Sequence, residues 1–176
     1  GCFPREALFA RLDPTGKDAA DVARLVPVLA SHPEIVWLDS TQEWGLAPEV
    51  GRSSLFGWVR KTLSVAASVG VDEIRAAVRR NLRMGGFAPP RDILLAVLRN
   101  VPWAHIEGTQ VRGLGLDPKE ELAGNDLIFH DILLEAGGAL DRYSLVERCT
   151  AHGMNVNSCQ LLLTHSPVVT PLSPLV

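Results

Sequence analysis

A chain of 176 residues is long enough to bury a core and to hold one or two domains. With 47% hydrophobic and 21% charged residues its composition is that of an ordinary globular protein, and no apolar run approaches the ~18 residues of a membrane span. The opening Gly1-Cys2-Phe3-Pro4-Arg5-Glu6 lacks the charged and apolar blocks of a secretory signal, and three cysteines without metal-clip spacing fit a reduced, cytoplasmic protein. The net charge of −3 conceals an alternation. Residues 1–50 carry 4 Lys/Arg against 8 Asp/Glu, residues 51–115 carry 10 against 4, and residues 116–176 carry 3 against 8. A balance of −4, +6 and −5 places a basic middle between acidic ends.

In chain order, the first third reads as two helices, 4–12 and 18–30, followed by a strand pair at 35–39 and 42–46. A linker is expected at 47–52. The middle third opens with a helix over 54–65, capped by Ser53 or Ser54, whose apolar residues Leu55, Trp58, Val59 and Leu63 have helical spacing. Gly70-Val71 gives a short extended segment. Asp72 is expected to cap a second helix running to Met84, burying Ile74, Val78 and Leu82 before Gly85-Gly86 stops it. Pro89-Pro90 starts a third helix with Ile93, Leu94, Val97 and Leu98 inward, ending near Asn100. Strands follow at 103–107 and 110–114 around a Gly108-Thr109 turn.

After an acidic, solvated linker at 116–124, the last third repeats the order. Asn125 or Asp126 caps a helix carrying Leu127, Ile128, Ile132, Leu133 and Leu134, which ends at Gly137-Gly138. Ala139-Leu140 reads as a short strand. Ser144 opens a second helix through Leu145, Val146 and Cys149, stopped by Gly153, and a third helix spans 155–164. Pro167-Val168-Val169-Thr170 begins a further strand pair.

One phrase occurs twice. Asp39-Ser40-Thr41-Gln42-Glu43-Trp44-Gly45-Leu46 returns as Glu107-Gly108-Thr109-Gln110-Val111-Arg112-Gly113-Leu114, with Thr, Gln, Gly and Leu in the same places. A fixed internal period marks a repeated structural unit, and here it marks the strand pair closing each unit. Helix, short strand, two helices and a two-stranded wing is the winged-helix pattern. The fold class expected is therefore mainly α with small β wings, in tandem winged-helix repeats. These comprise a partial unit at 1–50, a basic unit at 51–115, and an acidic linker with a third unit, truncated in its wing, at 116–176. The incomplete first and last units suggest a segment of a longer protein.

Within the last third, Glu147-Arg148-Cys149-Thr150-Ala151-His152-Gly153-Met154-Asn155-Val156-Asn157-Ser158 resembles a bacterial helix-turn-helix: a supporting helix, a glycine in the turn, then a small polar start to a recognition helix. In pattern the chain is similar to HARE-HTH-type domains, to the amino-terminal domain of the RNA polymerase delta subunit, and to sigma-factor helix-turn-helix domains. That resemblance implies nucleic-acid binding or contact with the transcription machinery. The chain departs from a simple DNA reader in that two of its three units are acidic.

The residues pointing to a function are basic. Arg75, Arg79 and Arg83 are spaced four apart, which stacks them on one helix face opposite Ile74, Val78 and Leu82, with Arg80 beside them. Arg91 and Arg99 add charge on the third helix, Arg112 on the wing, and Arg60 and Lys61 on the first helix. Guanidinium groups pair bidentately with phosphate, and each neutralised phosphate releases counterions. The same stripe also suits a solvated helix face or a dock for an acidic neighbour. Asn155, Asn157, Ser158 and Gln160, at the start of the last helix, are of the residue types that read base edges in the major groove; Asn155 equally suits a helix cap. Trp37, Trp44, Trp58 and Trp103 fit core positions, with Trp44 the one expected at the wing surface.

The five histidines lack metal-ligand spacing, no nucleotide-binding glycine motif is present, and no nucleophile has an elbow context. Neither an enzyme nor a cofactor is expected. The reading is a cytoplasmic, non-enzymatic binder of duplex DNA with the middle unit as phosphate clamp. Its rival is an interaction or scaffold module, docking to its own neighbours or to a protein such as RNA polymerase, without DNA.

Overall fold

The computed structural model describes residues 2–12, 19–47 and 54–170. It is mainly helical, with two small three-stranded antiparallel sheets. No helix among the described residues is long and apolar enough to cross a membrane.

The middle of the chain holds the larger core. Leu55, Val59 and Leu63 recur every four residues and line one side of the helix α3 (Ser54–Ser64). It follows α1 (Arg5–Leu12) and α2 (Ala19–Ala30) of the first unit. Strand β4 (Val69–Gly70) leads directly into α4 (Val71–Arg80), which buries Val71, Ile74, Ala77 and Val78 against α3. The Trp58 indole N–H donates to the Ala77 carbonyl at 2.9 Å and ties the two helices together. Helix α5 (Arg91–Arg99) presents Ile93, Leu94, Val97 and Leu98 to the core, the four residues expected. The hairpin β5 (Ala104–Glu107) and β6 (Gln110–Gly113) turns at Gly108-Thr109, with Gly108 at φ 61°, a backbone conformation that glycine adopts without strain. Val111 closes the core from the sheet and pairs with Val69 and Ile106.

Helix α4 is shorter than expected. It stops at Arg80 because Asn81 turns extended and its buried side-chain oxygen accepts the Arg83 N–H at 2.9 Å. That bond starts a separate 3-10 turn over Leu82–Met84, closed by Gly85 in the left-handed region. Leu82, expected in the core, is therefore 63% exposed. Asp72 lies in the first turn rather than at the cap. Gly70 holds the cap position, and its N–H donates to the Glu73 carboxylate at 2.9 Å.

The first unit contains β1 (Cys2–Pro4), α1, α2, β2 (Val36–Trp37) and β3 (Trp44–Leu46). The strand β1 was not foreseen in the sequence. It gives the first sheet the order β1-β3-β2, the order found in the second sheet as β4-β6-β5. Strand, two helices and a hairpin whose second strand is central thus occur twice. The two occurrences of the repeated phrase fall on β3 and β6 and the turns that precede them.

The last part packs three helices, α7 (Asn125–Glu135), α8 (Arg142–Ala151) and α9 (Val156–His165), around Phe129, Ile132, Leu145, Cys149, Met154 and Cys159. Several boundaries shift from expectation. Gly124 holds the cap of α7, while Asp126 is buried and Leu134 is 67% exposed, because this helix is apolar on most of its circumference and the sequence left its inner face ambiguous. Asp141, not Ser144, caps α8, accepting the N–H groups of Tyr143 and Ser144 at 3.0 and 3.1 Å. Ala139-Leu140 forms no strand, and neither does the segment from Pro167 to Thr170. The rest of the expected third wing lies outside the described residues, as does most of the 47–52 linker. The 116–124 segment is not a solvated linker. It contains the short helix α6 (Pro118–Glu121), buries Leu122, and packs Leu116 on the middle core.

Candidate nucleic-acid interface

The basic residues of the middle unit divide into three groups. Arg60 and Lys61, on α3, face the last part of the chain. Arg60 forms a fork–fork pair with Glu121, its Nε donating to one carboxylate oxygen at 2.9 Å and its Nη2 to the other. The Lys61 ammonium lies 2.5 Å from Asp126, whose second oxygen accepts the Ser166 hydroxyl at 3.0 Å. Both cations also sit over indole rings, Arg60 over Trp103 at 5.6 Å and Lys61 over Trp58 at 5.5 Å. These two charges join parts of the chain and are not presented on an open face.

A second group shapes the unit itself. The expected stripe of Arg75, Arg79 and Arg83 does not form, because Arg83 lies beyond the end of α4. Arg75 is half-buried; its Nε donates to the Pro89 carbonyl at 2.9 Å and its Nη1 reaches Asp72 at 3.3 Å. It fastens α4 to the lead-in of α5. Arg91 meets the other oxygen of Asp72 at 3.6 Å, so one exposed carboxylate is shared by two arginines. Arg80, the last residue of α4, is half-buried, and its backbone carbonyl lies 2.8 Å from His165 Nδ1 of α9.

The third group is open to solvent. Arg79 on α4, Arg83 on the 3-10 turn, Arg99 in the last turn of α5 and Arg112 on β6 are exposed and make no ion pair or side-chain hydrogen bond among the described residues. Arg112 stands directly across the ladder from His105, whose Nε2 lies 3.3 Å from Glu107. These three residues, with Ala67, Ser68 and Gln110, line a shallow depression of about 300 Å³ on the outer face of the hairpin. The Ser68 hydroxyl and the Gln110 side-chain oxygen, 3.1 Å apart, tie its rim together.

On the last third helix, most of the expected base-reading set is otherwise engaged. The Asn155 side chain caps α9 by accepting the Asn157 N–H at 2.8 Å. Gln160 accepts a bond from Arg142, and Ser158 is half-buried. Asn157 is exposed, and the large exposed side chains beside it on α9 are apolar, Val156 and Leu161. Trp44, expected at the wing surface, is half-buried and stacks on Phe87, ring centroids 5.9 Å apart, joining the first unit to the loop ahead of α5.

The sequence missed the acidic partners Glu121 and Asp126; the opposition of a +6 unit and a −5 unit was the available signal for that pair. Among the described residues, no group of three or more His, Cys, Asp and Glu side chains is placed to hold a metal ion. No family model, curated protein or solved structure matches the chain.

Proposed function

We propose that the chain is an array of winged-helix units that binds duplex DNA without catalysis, the middle unit gripping the phosphate backbone with α5 and the β5–β6 hairpin. The order helix, strand, two helices, hairpin over α3 to β6, with the first strand beside the last, supports the fold reading. The observation that carries the functional reading is the side on which the neighbours pack. Helices α6 and α9 contact α3 and α4, and among the described residues no element of another unit packs on α5, β5 or β6 to a comparable extent. Arg99 and Arg112 are therefore left outward, without a partner among the described residues, on a helix and a wing of the kind that lie against DNA. Phosphate contacts from such residues position a duplex without reading its sequence.

The test is fluorescence anisotropy of a labelled duplex titrated with the protein at rising salt. Binding should be detectable at low salt, weaken steeply as salt rises, and be lost when Arg99→Glu is combined with Arg112→Glu. No binding at low salt, or equal binding by the double variant, overturns the reading.

A second reading is favoured by the last part of the chain, where Tyr143 is 87% exposed and Val156 and Leu161 are exposed on α9. An acidic unit with apolar side chains outward suits a protein surface better than DNA. In that case the module docks to a protein such as RNA polymerase, and the duplex titration is silent.

A further inference from the structure

The outer face of the β5–β6 hairpin carries a histidine that the phosphate grip described above does not use. Side chains alternate across a strand, so Ala104 and Ile106 turn to the core while His105 and Glu107 turn outward. On β6 the same alternation buries Val111 and sends Gln110 and Arg112 outward. The register places Arg112 directly opposite His105, and Gln110 opposite Glu107. Side chains so opposed are about 5 Å apart at Cβ. All four, with Ala67 and Ser68, line the shallow depression on this face.

Three of these groups can bear charge. Arg112 is a cation without a partner among the described residues. Glu107 is an exposed carboxylate, and one of its oxygens lies 3.3 Å from the His105 Nε2. A carboxylate only accepts, so in the neutral ring Nε2 carries the proton and Nδ1 has only a lone pair to offer. In that state the charges of Arg112 and Glu107 cancel. A second proton, on Nδ1, turns that atom into a donor and leaves the face with a net positive charge. Histidine is the side chain whose ordinary charge change falls between about pH 5 and 8.

Among the described residues, the elements packed against β5 add one charge to this face, that of Arg112. Ala67, Ser68 and Gln110 are uncharged, and the Ser68 hydroxyl donates to the Gln110 oxygen at 3.1 Å. Helix α5 packs on β5 from the core side, where Leu94 and Leu98 share the core with Ala104 and Ile106. Its charged residues Arg91, Asp92 and Arg99 therefore belong to a helix on the opposite side of the sheet from the ring. At the other edge of the sheet, beside β4, Glu73 holds the Gly70 N–H at 2.9 Å.

We infer that this depression seats a backbone phosphate of the duplex, with Arg112 as the guanidinium fork and His105 as a proton gate that sets how tightly the wing grips. The seat rests on the DNA reading above and adds regulation to it. While the ring is neutral, Glu107 offsets Arg112. Once protonated, the ring offsets Glu107, and the charge of Arg112 is left to the phosphate. The sign follows: affinity is higher below the histidine range and falls as pH rises through it. A unit charge added close to a phosphate in water strengthens binding about three- to five-fold and adds about 0.9 to the salt slope.

The experiment repeats the duplex titration with the full chain at about pH 8 and about pH 5.5, at equal ionic strength. The native chain should bind about three- to five-fold more tightly at the lower pH. His105→Gln should lose most of that gain, although His32, His130, His152 and His165 are all retained. Glu107→Gln should bind more tightly than the native chain at both pH values, a gain that a misfolded variant does not imitate. A pH response kept in full by His105→Gln, equal native binding at the two pH values, or Glu107→Gln binding no tighter than the native chain overturns the gate and leaves the DNA reading standing. No binding at either pH overturns both.

Discussion

Gly113, the glycine of the repeated phrase and the last residue of β6, is expected to tolerate no side chain, for lack of space and not for reasons of φ. A Cβ added there meets the Leu63 carbonyl oxygen at 2.9 Å, the Leu63 Cβ at 3.2 Å and the Leu116 Cδ1 at 2.8 Å. Favourable carbon contacts lie at roughly 3.5–4.0 Å. The Leu116 methyl can rotate away, but the Leu63 oxygen belongs to the last turn of α3 and moves only if strand and helix separate. Overpacking of this kind costs about 1–3 kcal/mol, and the backbone contact puts Gly113→Ala in the upper part of that range. Stiffening of the unfolded chain returns about 0.4–1 kcal/mol, leaving a net loss of about 2 kcal/mol. Gly57 supplies the control, since it lies in α3 with nothing within 4 Å of an added Cβ. Gly57→Ala should gain about 0.5–1 kcal/mol from helix propensity. Urea unfolding followed by tryptophan fluorescence measures both. A Gly113→Ala midpoint equal to or above that of the native chain would refute the argument from packing.

Three other outcomes follow from the same contacts. Lys61→Met should cost about 2 kcal/mol, less than a fully buried pair because the lysine keeps some solvent, and Asp126→Asn on top of it should restore part; a loss under about 0.5 kcal/mol in urea unfolding contradicts the inter-unit role. Asp141 is held below the usual carboxylate range, first by the Ser144 hydroxyl and then by the Ser144 and Tyr143 N–H groups. A depressed acid stabilises above its unfolded pKa and ceases to do so as pH falls through the folded one. The stability gap between the native chain and Asp141→Ala should therefore narrow in acid, and a gap independent of pH counts against the cap. Burial beside Cys159 pushes the Cys149 thiol up to about 11, so Cys149 should react with a disulfide reagent at mildly alkaline pH only as fast as the protein unfolds; labelling at the rate of a free thiol would contradict its burial.

The sequence made the middle unit legible because its helices are amphipathic with a single answer. In α5 the apolar residues at 93, 94, 97 and 98 leave only one face to bury, and all four are inside. Leu82 had the right spacing but the wrong backbone: the side-chain bond from Asn81 ended the helix first, and periodicity cannot register such a bond. The strand β1 is three residues long and contains proline, so nothing in its own sequence announces pairing; its partner β3 supplies the reason. Side-chain pairing decided the candidate site. Composition counted Arg60, Lys61 and Arg75 alongside Arg99 and Arg112, and only the folded contacts, with Glu121 of α6, Asp126 of α7, and Asp72 and the Pro89 carbonyl within the middle unit, separated those engaged from those left outward.

The strand order of the two sheets carries a consequence for assembly. In each sheet the strand formed last along the chain, β3 or β6, is the middle one, and the earliest strand has no partner until it arrives. Val69 must wait for Val111, across two helices and a hairpin, whereas Ile106 meets that same valine through a two-residue turn. Loop-closure entropy therefore orders the steps, hairpin first and opening strand after, with the hairpin as template. During synthesis from the amino terminus, the opening segment of each unit emerges well before the surface that will hold it.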